Sequence, residues 1–106
     1  MTALDEDSTL DVRTAHEDAR RVYLLTGEID LATAPRLRSA VREAIEGSDE
    51  ETVFDLRGVT FMDSSGLSIF LEVAAAGTPM AIRSPSEAAR RVIETTGVGH
   101  TLGMES

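Results

Sequence analysis

The stretch "VFDLRGVTFMDSSGLSIFL" (53–71) decides the fold, because two different hydrophobic periods meet in it. Its first residues belong to "ETVFDL" (51–56), a short and largely apolar run that is typical of a central strand covered on both faces. Helical spacing follows at Leu67, Phe70, Leu71 and Ala74. The stretch therefore predicts a strand that leads into a helix, with the polar residues 63–65 at the junction.

Two strands and a helix are predicted before this stretch. "LDVRTAHED" (10–18) alternates weakly and predicts a first edge strand, and "RRVYLLTGEID" (20–30) predicts a stronger strand that Gly27 breaks. Thr33 then offers an oxygen for a helix N-cap, and Pro35 falls in the first helical turn. One face of this helix is predicted at Leu37, Ala40, Val41, Ala44 and Ile45.

Glycine and proline mark where the predicted helices end. Gly47 ends the first helix, and Gly77 with Pro79 ends the second. "MAIR" (80–83) predicts a short strand, and "SPSEAARRVIETTG" (84–97) predicts a last helix. One side of that helix is predicted at Ala88, Val92 and Ile93.

The predicted order of elements is β-β-α-β-α-β-α. Strands separated by single helices indicate an α/β fold, with a mixed sheet, parallel crossovers and helices packed against the sheet. The chain has 106 residues, which is near the common size of one domain. We expect an acidic N-terminal tail over residues 1–7 and a single domain over residues 8–106, and we predict no element for the tail from Val98 to Ser106.

The charge of the chain argues against a nucleic-acid partner. Nineteen acidic and ten basic residues give a formal net charge of -9, and no basic cluster is longer than a pair. A basic protein partner fits this charge better. The start "MTALDEDSTL" lacks an apolar signal region, and no stretch approaches the ~20 apolar residues of a membrane span. We therefore expect a cytoplasmic protein that contacts neither nucleic acid nor membrane.

Missing residue types exclude several classes of enzyme. All ten basic residues are Arg. A Walker-type phosphate loop and a Schiff-base enzyme both require a Lys, so both are excluded. The absence of Cys excludes disulfides, thiol catalysis and thiolate metal sites. The carboxylates have no His or Cys partner at metal-ligand spacing. We expect this chain to hold no metal and no cofactor.

The serines in "FMDSSG" (61–66) allow three interpretations. A Ser or Asp at a strand-to-helix junction is usually a helix cap, and a capping Ser64 predicts that Ser64→Ala costs about 0.5–2 kcal/mol. A nucleophile is the second interpretation, but the hydrolase pattern G-x-S-x-G is not met, since Met62 stands where Gly is required. The two histidines, His16 in a predicted turn and His100 in the tail, offer no recognisable catalytic base.

Modification is the third interpretation. A hydroxyl in the first turn of a helix lies at the surface, where a phosphate meets free N–H groups and the positive end of the helix dipole. The phosphate adds about -1.5 to -2 charges and three acceptor oxygens. The fold should tolerate it, and the consequence would fall on a partner that docks over that turn.

Two segments resemble the STAS domain family, in its free-standing form as a bacterial anti-sigma factor antagonist. "GEIDLATAPRLRSAV" (27–41) carries the signature before the first predicted helix, and the stretch 53–71 carries the signature before the second. The likeness covers Leu10 to Gly97, which is most of the chain. The fold it implies is a single STAS-like domain, and the function it implies is regulatory, not enzymatic.

The resemblance also implies a site. In this family the partner anti-sigma factor is also an ATP-dependent serine kinase, and it phosphorylates the first serine after the motif aspartate, which is Ser64 in this chain. The unphosphorylated protein binds the anti-sigma factor and releases a sigma factor. The partner-binding residues implied are Asp30, Asp63, Ser65, Gly66 and Leu67.

The resemblance leaves other partners and two alternative functions open. We expect a monomer whose phosphate is removed by a serine phosphatase. A non-phosphorylated STAS adaptor subunit of a transport or signalling assembly is the alternative within the family. A serine hydrolase is the alternative from the enzyme class, and labelling by a fluorophosphonate probe would distinguish it.

Overall fold

The computed structural model describes residues 9–104, in which four strands form one mixed sheet in the order β1-β2-β3-β4. β1 is antiparallel to β2, whereas the β2–β3 and β3–β4 pairs are parallel. The strands are β1 Leu10–Glu17, β2 Arg20–Ile29, β3 Thr52–Met62 and β4 Met80–Arg83. The predicted mixed sheet is confirmed, with β1 at an edge and β3 between two neighbours. The predicted acidic tail, residues 1–7, lies outside the described residues.

The helices follow the predicted order, but the first is interrupted. They are α1 Ala34–Ala40, α2 Arg42–Glu46, α3 Ser64–Ala75 and α4 Glu87–Thr96. Val41 separates α1 from α2, because its φ of -107° and ψ of 23° leave the helical region. Hydrogen bonds from Val41 N to Leu37 O and from Ile45 N to Val41 O continue across this residue. No helix within residues 9–104 is long and apolar enough to cross a membrane.

One hydrophobic core joins one face of the sheet to the helices. Tyr23 of β2 stacks on Phe54 of β3 with 5.5 Å between ring centroids, and Phe54 meets Phe70 of α3 at 4.8 Å. Of the residues predicted on the inner face of the first helix, Leu37, Val41 and Ala44 are buried and Ile45 is half-buried. The prediction is wrong at Ala40, which is exposed. Ala40 lies at the border of that face, on the last residue before the interruption at Val41.

β3 runs to Met62, well beyond its predicted end at Leu56, whereas β2 stays within its predicted range 20–30. β2 continues through Gly27 to Ile29, so the predicted break at Gly27 is wrong. Two irregularities in the β2–β3 register, one on each side of Thr26–Gly27, keep the strands paired over this length. Gly27 is required there by close packing: its φ is 112°, and a Cβ at this position would lie 1.8 Å from the carbonyl oxygen of Thr9.

A second apolar row lies on the sheet face turned away from this core. Val22, Val53 and Ala81 are in register across β2, β3 and β4, and all three are buried although none belongs to the core cluster. Glu17 of β1 and Arg83 of β4 form an ion pair of 2.9 Å. Since these strands are the two edges of the sheet, about 14 Å apart at the usual strand spacing, the paired side chains must reach across this face.

Arg83 is held in this position by a second carboxylate. Its guanidinium lies 3.1 Å from Asp55, a buried residue of the neighbouring strand β3. A buried carboxylate needs such a partner, because an unpaired charge would lose its hydration without compensation. We therefore interpret the Glu17–Arg83–Asp55 group as the polar cover of the apolar row, and we call this side of the sheet the open face.

Acidic pH should weaken this cover. The hydrogen bond from Arg83, and then its charge, hold the pKa of Glu17 below its ordinary value. Such a carboxyl stabilises the fold above its unfolded-state pKa, and this contribution is lost as the pH falls through the lower folded-state pKa. Between about pH 6 and about pH 3, the Tm of the wild type should therefore fall further than that of Glu17→Gln. Thermal melts followed by circular dichroism measure these Tm values. Glu46→Gln, which removes an exposed carboxylate, is the control. An equal pH dependence of the Tm in the wild type and in Glu17→Gln would contradict the prediction.

Candidate functional site

The candidate site begins at the turn between β3 and α3. Asp63 is the N-cap of α3, and its carboxylate accepts a hydrogen bond of 2.8 Å from the amide of Ser65. Its carbonyl oxygen accepts further bonds from the amides of Gly66 and Leu67. The capping interpretation is therefore right for the junction but wrong for Ser64, because the aspartate already supplies the oxygen.

Ser64 is the first residue of α3 and is exposed. Within residues 9–104 its hydroxyl forms no side-chain hydrogen bond, whereas its carbonyl accepts one of 3.0 Å from the hydroxyl of Ser68. The cost of about 0.5–2 kcal/mol expected for Ser64→Ala is therefore too high, since no cap is lost. A phosphate on Ser64 would project into solvent beside the helix N-terminus, and it would find the amides of the first turn already bonded to Asp63.

The loop after β2 lies directly beside this turn. The amide of Asp63 donates to the carbonyl of Ile29 at 3.2 Å, which joins the ends of β2 and β3. The Asp30 carboxylate accepts 3.0 Å hydrogen bonds from the amides of Ala32 and Thr33. The structure thus brings Asp30 and Asp63 together at one end of the sheet, each ordering the chain that follows it.

The predicted cap at Thr33 is wrong in its chemistry. Thr33 occupies the N-cap position of α1 but makes no side-chain capping bond. Its hydroxyl is turned back into the preceding loop, where it accepts from the amide of Asp30 at 2.9 Å and donates to the carbonyl of Glu28 at 2.9 Å. The hydroxyl therefore tightens the loop instead of capping the helix.

Gly66 and Leu67 face inward, unlike the serines before them. Leu67 is 5% exposed and belongs to the core. A Cβ on Gly66 would lie 2.4 Å from Cγ2 of Ile29, so only glycine lets the start of α3 approach β2 this closely. Ser65 is half-buried between these residues and Ser64. The inward pair fixes the position of Ser64, and a direct contact of either residue with a partner stays a prediction.

Two exposed apolar residues near the site were not predicted from the sequence. Leu31 follows Asp30 and is 78% exposed, and Phe61 lies two residues before Asp63 and is 48% exposed. The signal was available for Leu31, which is an isolated Leu in the loop between a strand and a proline-started helix. Phe61 gave no such signal, because it lies between the predicted strand 51–56 and the polar junction 63–65, where the sequence does not distinguish exposed from buried apolar residues.

Comparison with known proteins places the chain in a family. The family model described as the STAS domain matches residues 10–106. The chain belongs to the STAS domain family. This assignment confirms the resemblance, and the α/β fold described above is the fold of its relatives.

Three relatives show how close the similarity is. An anti-sigma F factor antagonist of Lysinibacillus sphaericus is 31% identical over 83 residues, which cover 74% of this chain and 71% of that protein. Another from Paenibacillus polymyxa is 29% identical over 94 residues, covering 84% and 80%. The crystal structure of an anti-sigma factor antagonist from Mycobacterium paratuberculosis matches with a TM-score of 0.80 and 28% identity, covering 90% of this chain and 84% of that one. These relatives support a regulatory binding protein, and they do not support the serine hydrolase alternative.

Proposed function

We propose that this chain is an anti-sigma factor antagonist that is switched by phosphorylation of Ser64. In the unphosphorylated form it binds an anti-sigma factor with serine kinase activity and so releases a sigma factor. The observation that carries the proposal is the β3–α3 turn, where an exposed serine follows an aspartate that already caps the helix, and the serine hydroxyl forms no hydrogen bond with any residue of the described range 9–104. The names of the STAS relatives support the choice of partner class.

The turn is suited to receive a phosphate without unfolding. A phosphoryl group on Ser64 would add about -1.5 to -2 charges at the positive end of the α3 dipole, which favours an anion. Because the bonds to Asp63 do not involve the Ser64 hydroxyl, the cap should survive the modification. The modification should therefore change the surface that a partner meets, and not the fold beneath it.

The docking surface combines exposed and buried members of the site. Asp30, Asp63 and Ser65 are partly exposed near Ser64, and in this proposal they would contact the partner. Gly66 and Leu67 contribute from below by holding α3 against β2. The kinase partner would supply the Mg-ATP, and a serine phosphatase would reset the switch, both in the cytoplasm.

Release of a sigma factor from its inhibitor is the direct test. Each anti-sigma factor encoded in the source genome would be purified in complex with its sigma factor, mixed with the unphosphorylated chain, and separated by size. For one of these complexes we expect the sigma factor to elute free and the anti-sigma factor to elute with this chain. Survival of every sigma complex in an excess of this chain would refute the proposed function.

The acceptor residue is tested separately by mass spectrometry. Incubation with that anti-sigma factor and Mg-ATP should add one phosphoryl group to the wild type and to Ser65→Ala, and none to Ser64→Ala. The two variants remove neighbouring hydroxyls of the same turn, so each is the matched control for the other. A phosphopeptide that carries the group on Ser65 would overturn the assignment.

A further inference from the structure

Leu31 and Phe61 expose apolar surface at the same end of the sheet. Within the described part of the chain they are the exposed large hydrophobic side chains. Phe61 stands two residues before Asp63, and Leu31 stands two residues after Ile29, whose carbonyl accepts the Asp63 amide. Apolar groups left exposed around a binding site commonly mark the centre of a protein interface.

The register of β3 shows which side Phe61 faces. Met62 is in register with Ile29, and both are buried in the core on the helix side of the sheet. Phe61 is in register with Glu28, and successive side chains of a strand point to opposite faces. Phe61 therefore lies on the open face, whereas Leu31 lies in the loop that enters α1 on the helix side.

We propose that the anti-sigma factor docks over the end of the sheet and reaches both sides of it, with Leu31 and Phe61 as its two apolar anchors. This inference rests on the proposed function and adds to it the extent and the chemistry of the interface. The bound surface then continues past Ser64 onto the open face and is not confined to the turn and the helix. Glu28, Asp30 and Asp63 rim the two anchors with negative charge, so the partner surface is basic around two apolar pockets.

This arrangement explains how a phosphate on Ser64 would weaken binding, although the proposed partner is basic. Added negative charge alone would attract a basic surface. At an interface that closes over two nearby apolar anchors, however, the phosphate must lose its hydration, and the burial of an unpaired anion costs more free energy than attraction to distant charges contributes. The switch works by desolvation at the centre of the interface and not by repulsion at its rim.

The test measures the affinity of the anti-sigma factor identified by sigma release for two variants. Leu31→Ala and Phe61→Ala should each weaken binding by about tenfold or more, as the truncation of interface anchors does. Leu24→Ala is the matched control: this half-buried residue is outside the core cluster and lies on the open face, about 13 Å along β2 from Glu28 at the usual rise per residue. It should bind within about twofold of wild type. Circular dichroism should show all three variants folded, since none of the three side chains belongs to the core cluster.

The outcomes separate this inference from the proposed function. If Phe61→Ala binds as tightly as the wild type, the partner does not contact the open face, and the inference is wrong. If Leu31→Ala binds as tightly as the wild type, Leu31 is not an anchor, and the partner is not held on both sides of the sheet. A loss for Leu24→Ala equal to that for Phe61→Ala would show that the effect is not specific to the anchors, which also overturns the inference. No binding by the wild type would refute the proposed function itself, and this inference with it.

Discussion

Gly66→Ala should destabilise the domain, although alanine is the better helix former. By helix propensity alone the substitution would stabilise α3 by about 1 kcal/mol. The new Cβ, however, would lie 2.4 Å from Cγ2 of Ile29 and 3.2 Å from Cγ of Met62. Both neighbours are buried and cannot swing into solvent. We expect the free energy of unfolding to fall by about 1–3 kcal/mol, the usual range for overpacking, as measured by denaturant melts.

Two further variants identify the cause of that loss. Ser68→Ala changes an exposed residue of the same helix and should stay within about 0.5 kcal/mol of wild type. Ile29→Ala removes the Cγ2 atom that the new Cβ would meet, so Ile29→Ala and Gly66→Ala together should cost less than the sum of the two single losses. Additive losses, or a stabilised Gly66→Ala, would show that the contact between α3 and β2 does not constrain this position.

The sequence predicted the elements best where local signals agreed. "MAIR" predicts a strand over residues 80–83, and β4 is Met80–Arg83. "SPSEAARRVIETTG" predicts a helix over residues 84–97, and α4 is Glu87–Thr96. In the structure the hydroxyl of Ser86 caps it, accepting from Ala89 N at 3.1 Å, and Gly97 closes it in the left-handed conformation. Caps and turns are local, so their chemistry can be read from a few neighbouring residues.

The sequence predicted poorly what depends on distant partners. The sequence predicts Ala88, Val92 and Ile93 on the inner side of α4. Ile93 is buried and Val92 packs against the core while partly buried, but Ala88 is not part of the core, and Ala89 is buried instead. The sequence predicts no element for the tail from Val98, but its Leu102 is fully buried in the core. Met104 forms a parallel bridge with Ile82, which covers the outer edge of β4. Such contacts arise from the sheet edge, and no short pattern encodes them.

The candidate site divides in the same way. The family signature identified Ser64, Asp63 and Asp30 in the sequence. In the structure the turns that contain them lie side by side, and the hydrogen bond from the Asp63 amide to the Ile29 carbonyl joins the end of β3 to the end of β2. The signature treats Gly66 as one more site residue, whereas its role becomes visible only with Ile29 packed against it. The exposure of Phe61 could not be predicted from the sequence, because it depends on the continuation of β3 from its predicted end at Leu56 to Met62.

Substitutions at Ser64 should separate binding from stability. Ser64→Ala removes a hydroxyl that is not part of the cap, so the free energy of unfolding should stay within about 0.5 kcal/mol of wild type. Ser64→Asp places a negative charge at the first position of α3, where the helix dipole favours it by roughly 0.3–1 kcal/mol. Both variants should therefore fold as well as the wild type in thermal and denaturant melts.

Binding of the anti-sigma factor should rank the two variants differently. Ser64→Ala should bind as tightly as the unphosphorylated wild type, and it should keep the sigma factor free after prolonged incubation with the kinase and Mg-ATP, because it offers no acceptor. Ser64→Asp should bind at least about tenfold more weakly, or about 1.4 kcal/mol, because its carboxylate would be desolvated when the interface closes.

Ser64→Asn is the matched control, since it has nearly the shape of Asp without the charge and should recover most of the affinity. Equal losses for Asn and Asp would mean that size and not charge operates the switch, and an unfolded Ser64→Asp would mean that phosphorylation acts by melting α3.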